Sequence, residues 1–234
     1  MKILAIDTAT DACSAALYVD GALISKYQLA PREHSRLILK MIDSLLHEAG
    51  LSVSSLDAIA FGRGPGSFMG LRIAAGVVQG IAFAHDIPVI PISTLKAIAQ
   101  RAFELTDSKY ILAAIDARMD EVYWAAYYRQ DQSWHLHGEE RVISPEKVSL
   151  PEILKRPDQP WVAAGSGWGS YKDRLLLTLN CPLPTILADC FPSAEVIAKL
   201  AVIELAAGNT VSAAEAIPVY LRNDVAKKPK PVVL

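Results

Sequence analysis

Two patterns of apolar residues alternate along the chain, and each predicts a different kind of element. Short runs rich in β-formers that end in Ile-Asp, at 3–7 and 111–116, predict buried strands. Longer stretches in which apolar residues recur with helical spacing, at 33–49 and 70–84, predict helices with one face in a core. Because such strands and helices alternate throughout, the sequence predicts an α/β fold that contains parallel strand pairs.

The order of elements occurs twice, and the segment 3–21 is similar to the segment 111–130. The first half is predicted to continue with a strand at 22–29, a helix at 33–49, a strand at 57–61, a helix at 70–84, a strand at 88–92 and a helix from Ser93. The second half is predicted to continue with a strand in 133–143, a helix at about 145–156, a strand at 161–165, a helix near 171–178 and a helix at about 193–207.

This duplicated βββαβαβα unit predicts two similar lobes with a cleft between them, at 1–108 and 109–218. A basic segment at 219–234 is expected to be a solvated tail, since its prolines oppose regular structure. Ser93 and Ser193 are each well placed to cap the last helix of a repeat.

A glycine-rich loop, "GRGPGSFMG" at 62–70, joins a predicted strand to a predicted helix, where it could bind a phosphate or let another backbone approach. The loop lacks the Gly-Lys-Ser/Thr ending of a P-loop, and its glycine spacing is one residue longer than a dinucleotide fingerprint. Pro65 also removes a backbone donor. We therefore favour close packing over phosphate binding. We predict that the glycines of the whole stretch 58–85, from this loop into the helix that follows, serve close helix packing in a partner interface.

The helix predicted at 70–84 is apolar on two sides. One stripe consists of Leu71, Ala74, Ala75, Val78 and Ala82, and the other of Ile73, Gly76, Val77, Gly80 and Ala84. Each mid-helix glycine costs about 1 kcal/mol relative to alanine, so another interaction must offset it. We predict that one side rests on the lobe's own sheet and that the glycine side admits another helix.

The helix predicted at 33–49 has a wide apolar arc opposite a polar face formed by Arg36, Lys40, Asp43 and His47. Packing inside the lobe could use the whole arc. Surplus apolar surface on both helices favours contact with a partner instead. The predicted partner interface consists of Leu37, Met41, Leu45, Ile73, Gly76, Val77, Gly80 and Ala84.

Composition narrows the classes of function. The chain has 234 residues, of which 52% are hydrophobic and 21% charged, as in folded globular proteins. A formal net charge of −2 gives no broad cationic surface for nucleic acid. Three cysteines without a Cys-x-x-Cys pair are typical of a reducing compartment. Since no apolar run reads as a signal sequence or a membrane span, we expect a soluble cytoplasmic protein.

Candidate catalytic groups are few. The five histidines show no metal-binding spacing, Cys13 has no base nearby in sequence, and no serine lies in a Gly-x-Ser-x-Gly elbow. Asp7 and Asp116 each end the first strand of a repeat, where a carboxylate could face a cleft and hold a metal–phosphate complex. The turns that follow contain no glycine, and Arg118 and Met119 add bulk there. We predict no catalytic residue, no metal site and a vestigial nucleotide cleft at Asp7, Asp116, Gly165 and Gly167.

Four stretches resemble the TsaB (YeaZ) family of the actin/Hsp70/sugar-kinase (ASKHA) superfamily, and the resemblance covers nearly the whole chain. They are "ILAIDTAT", "GRGPGSFMGLRIAAGVVQGIA", "IDARMDEVYWAAY" and "PVYLRNDVAKKP". The chain departs from the family's pattern at Met69, where threonine is usual, and at Ala9, where serine is common. The resemblance implies two actin-like, ribonuclease H-like lobes.

The resemblance also implies a role in forming N6-threonylcarbamoyladenosine (t6A) in tRNAs that read codons starting with A. In the family, such a chain is the non-catalytic activator of a TsaD-type transferase, and a TsaE-type ATPase supports turnover. The implied contacts are a heterodimer with the TsaD-like paralogue through the helices at 33–49 and 70–84, a homodimer when the chain is alone, and tRNA only through the complex. No membrane contact and no required cofactor are expected.

Three questions stay open from the residues alone. Weak ATP or ADP binding could persist in the complex. The chain could instead be an independent ATP-dependent small-molecule kinase that uses Asp7 and Asp116. It could also be a glycoprotease-like peptidase, although the residues offer no site for that chemistry.

Overall fold

The computed structural model describes residues 1–131, 133–149, 161–180 and 185–222. The strands of the first half are β1 (Lys2–Asp7), β2 (Ala12–Val19), β3 (Ala22–Leu29), β4 (Ala58–Gly64) and β5 (Val89–Ser93). They form one sheet in the order β3-β2-β1-β4-β5. The β1–β2 and β2–β3 pairs are antiparallel, whereas β4 and β5 run parallel to β1, as the alternation with helices predicts.

The second sheet repeats this arrangement. Its strands are β6 (Tyr110–Asp116), β7 (Val122–Gln130), β8 (Ser133–Ile143), β9 (Val162–Ala164) and β10 (Thr185–Leu187), in the order β10-β9-β6-β7-β8. The hairpins are antiparallel, and β9 and β10 are parallel to β6. The predicted duplication of the α/β unit into two similar lobes is therefore confirmed. The strand β10 was not predicted, because three residues are too few to show a period.

Five helices complete the described fold: α1 (His34–Ala49), α2 (Phe68–His85), α3 (Thr94–Thr106), α4 (Ser166–Leu179) and α5 (Ala194–Ala206). Helices α1 and α2 cover the outer face of the first sheet, and α4 covers the outer face of the second. Helices α3 and α5 lie between the two sheets, where residues of both halves form one buried cluster. The molecule is thus layered as helices, sheet, helices, sheet, helix.

The two central helices are exchanged between the halves. Helix α5, from the second half, packs on β1 and β2 of the first sheet, whereas α3, from the first half, packs on β6 of the second. The predicted boundary at residue 108 lies between α3 and β6. That the two halves are separate domains stays a prediction.

Two predicted helices differ from the observed ones. The helix predicted at about 145–156 is wrong at its start, since only Pro145–Lys147 form a turn of 3₁₀ helix and Val148 is extended, with ψ of 152°. Residues 150–160 lie outside the described residues. Helix α4 begins five positions earlier than predicted, because the glycine-rich segment forms a helical turn that contains the fully buried Trp168. A kink at Tyr171, with φ of −130° and ψ of 22°, separates this turn from the helix that was predicted.

The two predicted serine caps behave differently. Ser93 Oγ accepts a hydrogen bond from the Lys96 N–H at 3.2 Å and caps α3 as expected. The expectation is wrong for the side chain of Ser193, because the first amide of α5, Ala194 N–H, donates to Ser14 Oγ at 2.9 Å. The first amide of α5 is therefore capped by a side chain of β2, the strand on which this helix packs.

Alanine substitution at the two serines should separate these roles. Ser93→Ala removes a cap and a hydroxyl that also hydrogen-bonds Tyr127 and Glu140, so the free energy of unfolding should fall by about 1–3 kcal/mol. Ser193→Ala should change it by about 0.5 kcal/mol or less, since its hydroxyl makes no capping bond. Urea unfolding followed by circular dichroism measures both, and equal losses would contradict the assignment.

Candidate partner interface

The glycines of the loop before α2 pack against the chain's own backbone. A Cβ atom at Gly62 would lie 2.0 Å from Asp7 Oδ2, and one at Gly70 would lie 1.9 Å from the carbonyl oxygen of Thr8. At Gly66 it would lie 2.3 Å from the carbonyl oxygen of Ala9. The prediction that every glycine of this stretch serves a partner is therefore wrong for the loop, where only glycine lets β4 and α2 approach the end of β1.

The two mid-helix glycines of α2 have the opposite surroundings. Apart from the adjacent residues and the nearby backbone of α2 itself, no atom of the described residues lies within 4 Å of a Cβ placed at Gly76 or Gly80. The inner stripe is buried as predicted and consists of Gly70, Leu71, Ala74, Ala75, Val78 and Ala82. The glycine side thus faces away from the sheet and is left open by the chain.

Large apolar side chains flank these glycines on the open side. Phe83 is 83% exposed and Met69 is 63% exposed, while Ile73 is half-buried. Met69, Ile73, Gly76, Gly80 and Phe83 follow one another at spacings of four, three, four and three residues, which is the spacing of a helix–helix seam. We call these five residues the α2 seam. Met69 and Phe83 were not among the predicted interface residues, although this spacing identifies both.

The other predicted interface residues divide between core and surface. Leu37 and Met41 on α1 and Val77 on α2 are half-buried at the edge of the outer core, and Ala84 is exposed. Leu45 is fully buried between α1 and the sheet, so the structure removes it from the predicted surface. Leu39, which was not predicted, is a large exposed apolar side chain on α1.

Helix α2 is also the one helix of the described residues that is long and apolar enough to cross a membrane. Its mean hydropathy over 18 residues is 1.3, which corrects the expectation that no apolar run reaches that length. Core helices of soluble proteins pass the same test, so the finding is weak evidence for a membrane. Only 33% of these residues are buried, however, and this share shows how much of the helix the chain leaves uncovered.

The segment after the last helix lies along one flank of α2. The Phe68 and Tyr220 rings are 5.4 Å apart, and Arg72 lies 3.9 Å above the Phe68 ring and donates from Nε to the Tyr220 hydroxyl. Arg222 then reaches the second lobe, where it donates to Glu121 Oε2 at 2.5 Å. The expectation of a solvated tail is therefore wrong for Arg222. The tail's lysines lie outside the described residues.

Asp7 does not face a cleft. Its carboxylate is completely buried beneath Gly62, and Oδ1 accepts a hydrogen bond from the Ala9 N–H at 3.2 Å. Oδ2 has no hydrogen-bond partner among the described residues. Burial raises the pKa of Asp7 from 3.8 to about 7, and the bond from Ala9 opposes this rise.

Asp116 is mostly covered, with 14% of its side chain exposed. Its carboxylate accepts hydrogen bonds from the Arg118 N–H and guanidinium, the Ser170 hydroxyl and the Tyr171 hydroxyl, at 2.8 to 3.2 Å. The following turn holds Arg118, Met119 and Asp120 at φ values near 60°. This carboxylate already has a full set of donors from its own lobe.

The predicted cleft glycines have a packing role. A Cβ at Gly165 would lie 2.3 Å from the carbonyl oxygen of Ala114, and one at Gly167 would lie 3.0 Å from the carbonyl carbon of the same residue. Both glycines therefore let α4 start close against β6. Within the described residues, no group of three His, Cys, Asp or Glu side chains is placed to hold a metal ion. The vestigial nucleotide cleft stays a prediction.

Comparison with known proteins identifies the family. A family model described as "TsaD: tRNA N6-adenosine threonylcarbamoyltransferase" matches residues 26–228. The chain is 43% identical to the tRNA threonylcarbamoyladenosine biosynthesis protein TsaB of Escherichia coli K12, over 99% of both chains. The chain belongs to the TsaB (YeaZ) family. The resemblance read from the sequence is confirmed.

Two further matches agree with this assignment. TsaB of Haemophilus influenzae is 41% identical over 99% of this chain and 98% of its own. The solved structure of YeaZ from Pseudomonas aeruginosa superposes with a TM-score of 0.86 at 46% identity, and the match covers 94% of this chain and 99% of that one. The two-lobed fold is thus shared along nearly the full length of both proteins.

Removing the buried carboxyl group should change the pH dependence of stability. The folded chain holds the Asp7 proton up to a pH of about 7, whereas an unfolded chain releases it near 3.8. Asp7 therefore favours the folded state most below the unfolded pKa, and this contribution is lost as the pH rises through about 7. Asp7→Asn cannot ionise, so relative to the parent it should gain on the order of a few kcal/mol between these pH values.

Chemical denaturation at a series of pH values tests this expectation. The gain of Asp7→Asn over the parent should grow with pH and level off above about pH 7. Parallel curves for the two proteins would show that Asp7 is ionised in the folded state without cost.

Proposed function

We propose that this chain is the non-catalytic activator of a TsaD-type threonylcarbamoyltransferase and that it binds the transferase through the α2 seam. Membership of the TsaB family gives the chain a role in t6A formation. The observation that carries the partner role is the open side of α2, where two glycines without neighbours lie between exposed Met69 and Phe83.

The shape of this surface favours a helix as its occupant. Glycines one turn apart let a second helix axis come close, and the larger residues at each end pack around it. The helix is already formed in the free chain, so association need not order it. A match to a TsaD family model over residues 26–228 indicates that a TsaD-type paralogue shares this fold and has equivalent helices to offer.

The strand-end carboxylates support a role without catalysis by this chain. Asp7 is buried and Asp116 is held by donors of its own lobe, so neither is presented to a substrate. No feature of the described residues favours the kinase or the peptidase alternative. A homodimer through the same surface, a TsaE-type ATPase, contact with tRNA only through the complex, weak nucleotide binding and a cytoplasmic location remain part of the proposal.

Reconstitution tests the activator role. The chain alone should leave tRNA unmodified when supplied with threonylcarbamoyl adenylate, and a TsaD-type enzyme should form t6A much faster when the chain is added. Digestion of the tRNA and mass spectrometry of its nucleosides measures the product. Modification by the chain alone, or no change on its addition, would overturn the proposal.

Gly76→Ala should affect stability and assembly in opposite directions. A methyl group there meets no described atom within 4 Å beyond the adjacent residues and nearby backbone of its own helix, and alanine is the better helix former, so the free chain should become more stable by about 1 kcal/mol. The same methyl group should hold a partner helix away and weaken assembly about tenfold. Thermal unfolding and a binding titration with the TsaD-type enzyme measure the two effects.

Gly169→Ala is the matched control for this experiment. It also replaces a glycine in a helix, and its Cβ would lie at an ordinary distance of 3.5 Å from Ala188. Because it lies on α4, covering the other sheet, it should leave assembly unchanged. Unchanged assembly in Gly76→Ala would remove the glycine from the interface.

A further inference from the structure

A cavity of about 250 Å³ lies at the N-terminus of α5, on the face of the first sheet opposite α1 and α2. Its walls come from β2 and β3, the C-terminal half of α3 and the first turn of α5. The cavity therefore lies where α5, a helix of the second half, packs against the sheet of the first half. The proposed function uses none of these residues.

Several hydrogen-bond donors around this cavity have no acceptor. Ala194 N–H is satisfied by Ser14 Oγ, but the next two amides of α5, at Glu195 and Val196, have none among the described residues. The Ser193 side chain lines the cavity, and the residue is only 9% exposed. Its hydroxyl makes no hydrogen bond within the described part of the chain. The start of the helix is thus left with free donors at its positive end.

A cation faces the same cavity. Arg101 donates from Nη1 to the carbonyl oxygen of Phe191 at 2.8 Å, and its guanidinium lies 5.1 Å from the centre of the Tyr27 ring. It forms no ion pair with any carboxylate of the described residues. Arg101 is therefore held in place by neutral groups, and its charge is not neutralised by a partner.

The other charged groups of the cavity are already paired. Glu104 and Glu195 line it, and both carboxylates accept hydrogen bonds from Lys199 Nζ, at 3.0 and 2.9 Å. Lys26, on β3, pairs with Glu48 at 3.0 Å. Among the described residues that line the cavity, Arg101 is thus the one charged side chain without an ion pair.

The equivalent position in the other half shows what such a site takes. Helix α3 occupies the corresponding place in the repeat, and it also begins after a serine. There Ser93 hydrogen-bonds the carboxylate of Glu140, which also accepts from the Tyr127 hydroxyl at 2.5 Å. The chain thus places a carboxylate on the capping serine of α3. The carboxylate in the first turn of α5, Glu195, is instead paired with Lys199, and no carboxylate of the described residues hydrogen-bonds Ser193.

We propose that this cavity binds the phosphate group of a small phosphorylated compound, such as inorganic phosphate or pyrophosphate. A tetrahedral oxyanion offers several acceptor oxygens, which can take the free amides, the Ser193 hydroxyl and the Arg101 guanidinium together. Since a water molecule takes up about 30 Å³ of liquid, the cavity has room for roughly eight waters. That space suits one or two phosphate groups.

Titration of the full-length, ¹⁵N-labelled chain with sodium phosphate and with pyrophosphate tests the proposal, with sodium chloride at matched ionic strength as the control. The amide signals of Glu195 and Val196 should shift and saturate. Ser193→Ala should weaken binding about fivefold and Arg101→Gln about tenfold, as expected for a lost hydrogen bond and a lost charge-assisted one. Ser54→Ala, at an exposed position in the turn of 3₁₀ helix before β4, should bind as the parent does.

Three results would overturn the proposal. These are no saturable shift with either ion, equal affinity in the parent, Ser193→Ala and Arg101→Gln, or a shift produced by a short RNA oligonucleotide and by neither ion. Because the readout needs neither the transferase nor tRNA, its failure is distinct from a failure of the proposed function.

Discussion

The structure depends on one constraint: helix α2 has more apolar surface than this chain can cover. Its inner stripe fills the core beneath the first sheet, while Met69 and Phe83 on the other side remain mostly in water. Packing of one side is enough to keep the helix folded, because the buried stripe runs along its length. The uncovered side presents apolar surface on a helix that is already folded. Binding a partner there would therefore not need to pay the conformational entropy of folding this helix.

The glycines of the loop before α2 and those inside α2 have opposite roles. The atoms that would surround a Cβ placed at each glycine distinguish the two roles. In the loop, Gly66 and Gly70 touch backbone of the β1–β2 turn and so fix the first turn of α2 against the sheet. In the helix, Gly76 and Gly80 touch nothing in the described chain. The loop glycines therefore determine how the helix is oriented, and the helix glycines determine how closely another surface can approach it. Because Gly66 and Gly70 fix the position of α2, the surface at Gly76 and Gly80 is held rigidly for a partner to recognise.

Local pattern was sufficient to predict most elements and the inner stripe of α2, because burial and helical period act over a few residues. It could not show that α3 and α5 exchange sheets, since a largely apolar helix such as α5 can pack equally well on either. The same limit explains Leu45, whose apolar character fits a core and an interface alike. Asp7 was misread because its burial comes from Gly62 and a helix almost two hundred residues away. In contrast, the spacing of Phe83 from Gly80 was present in the sequence and was overlooked.

The exchange of the central helices also bears on how the molecule works. Because α3 and α5 each pack on the other half's sheet, any movement that opened the lobes would expose the apolar cluster that residues of both halves share. That area opposes opening, and the unpartnered Asp7 oxygen is kept dry by the same packing. An enzyme that closes around a substrate needs lobes that separate easily. Lobes that are joined through a common core therefore favour the proposed role, in which the chain presents a fixed surface on the exposed side of α2.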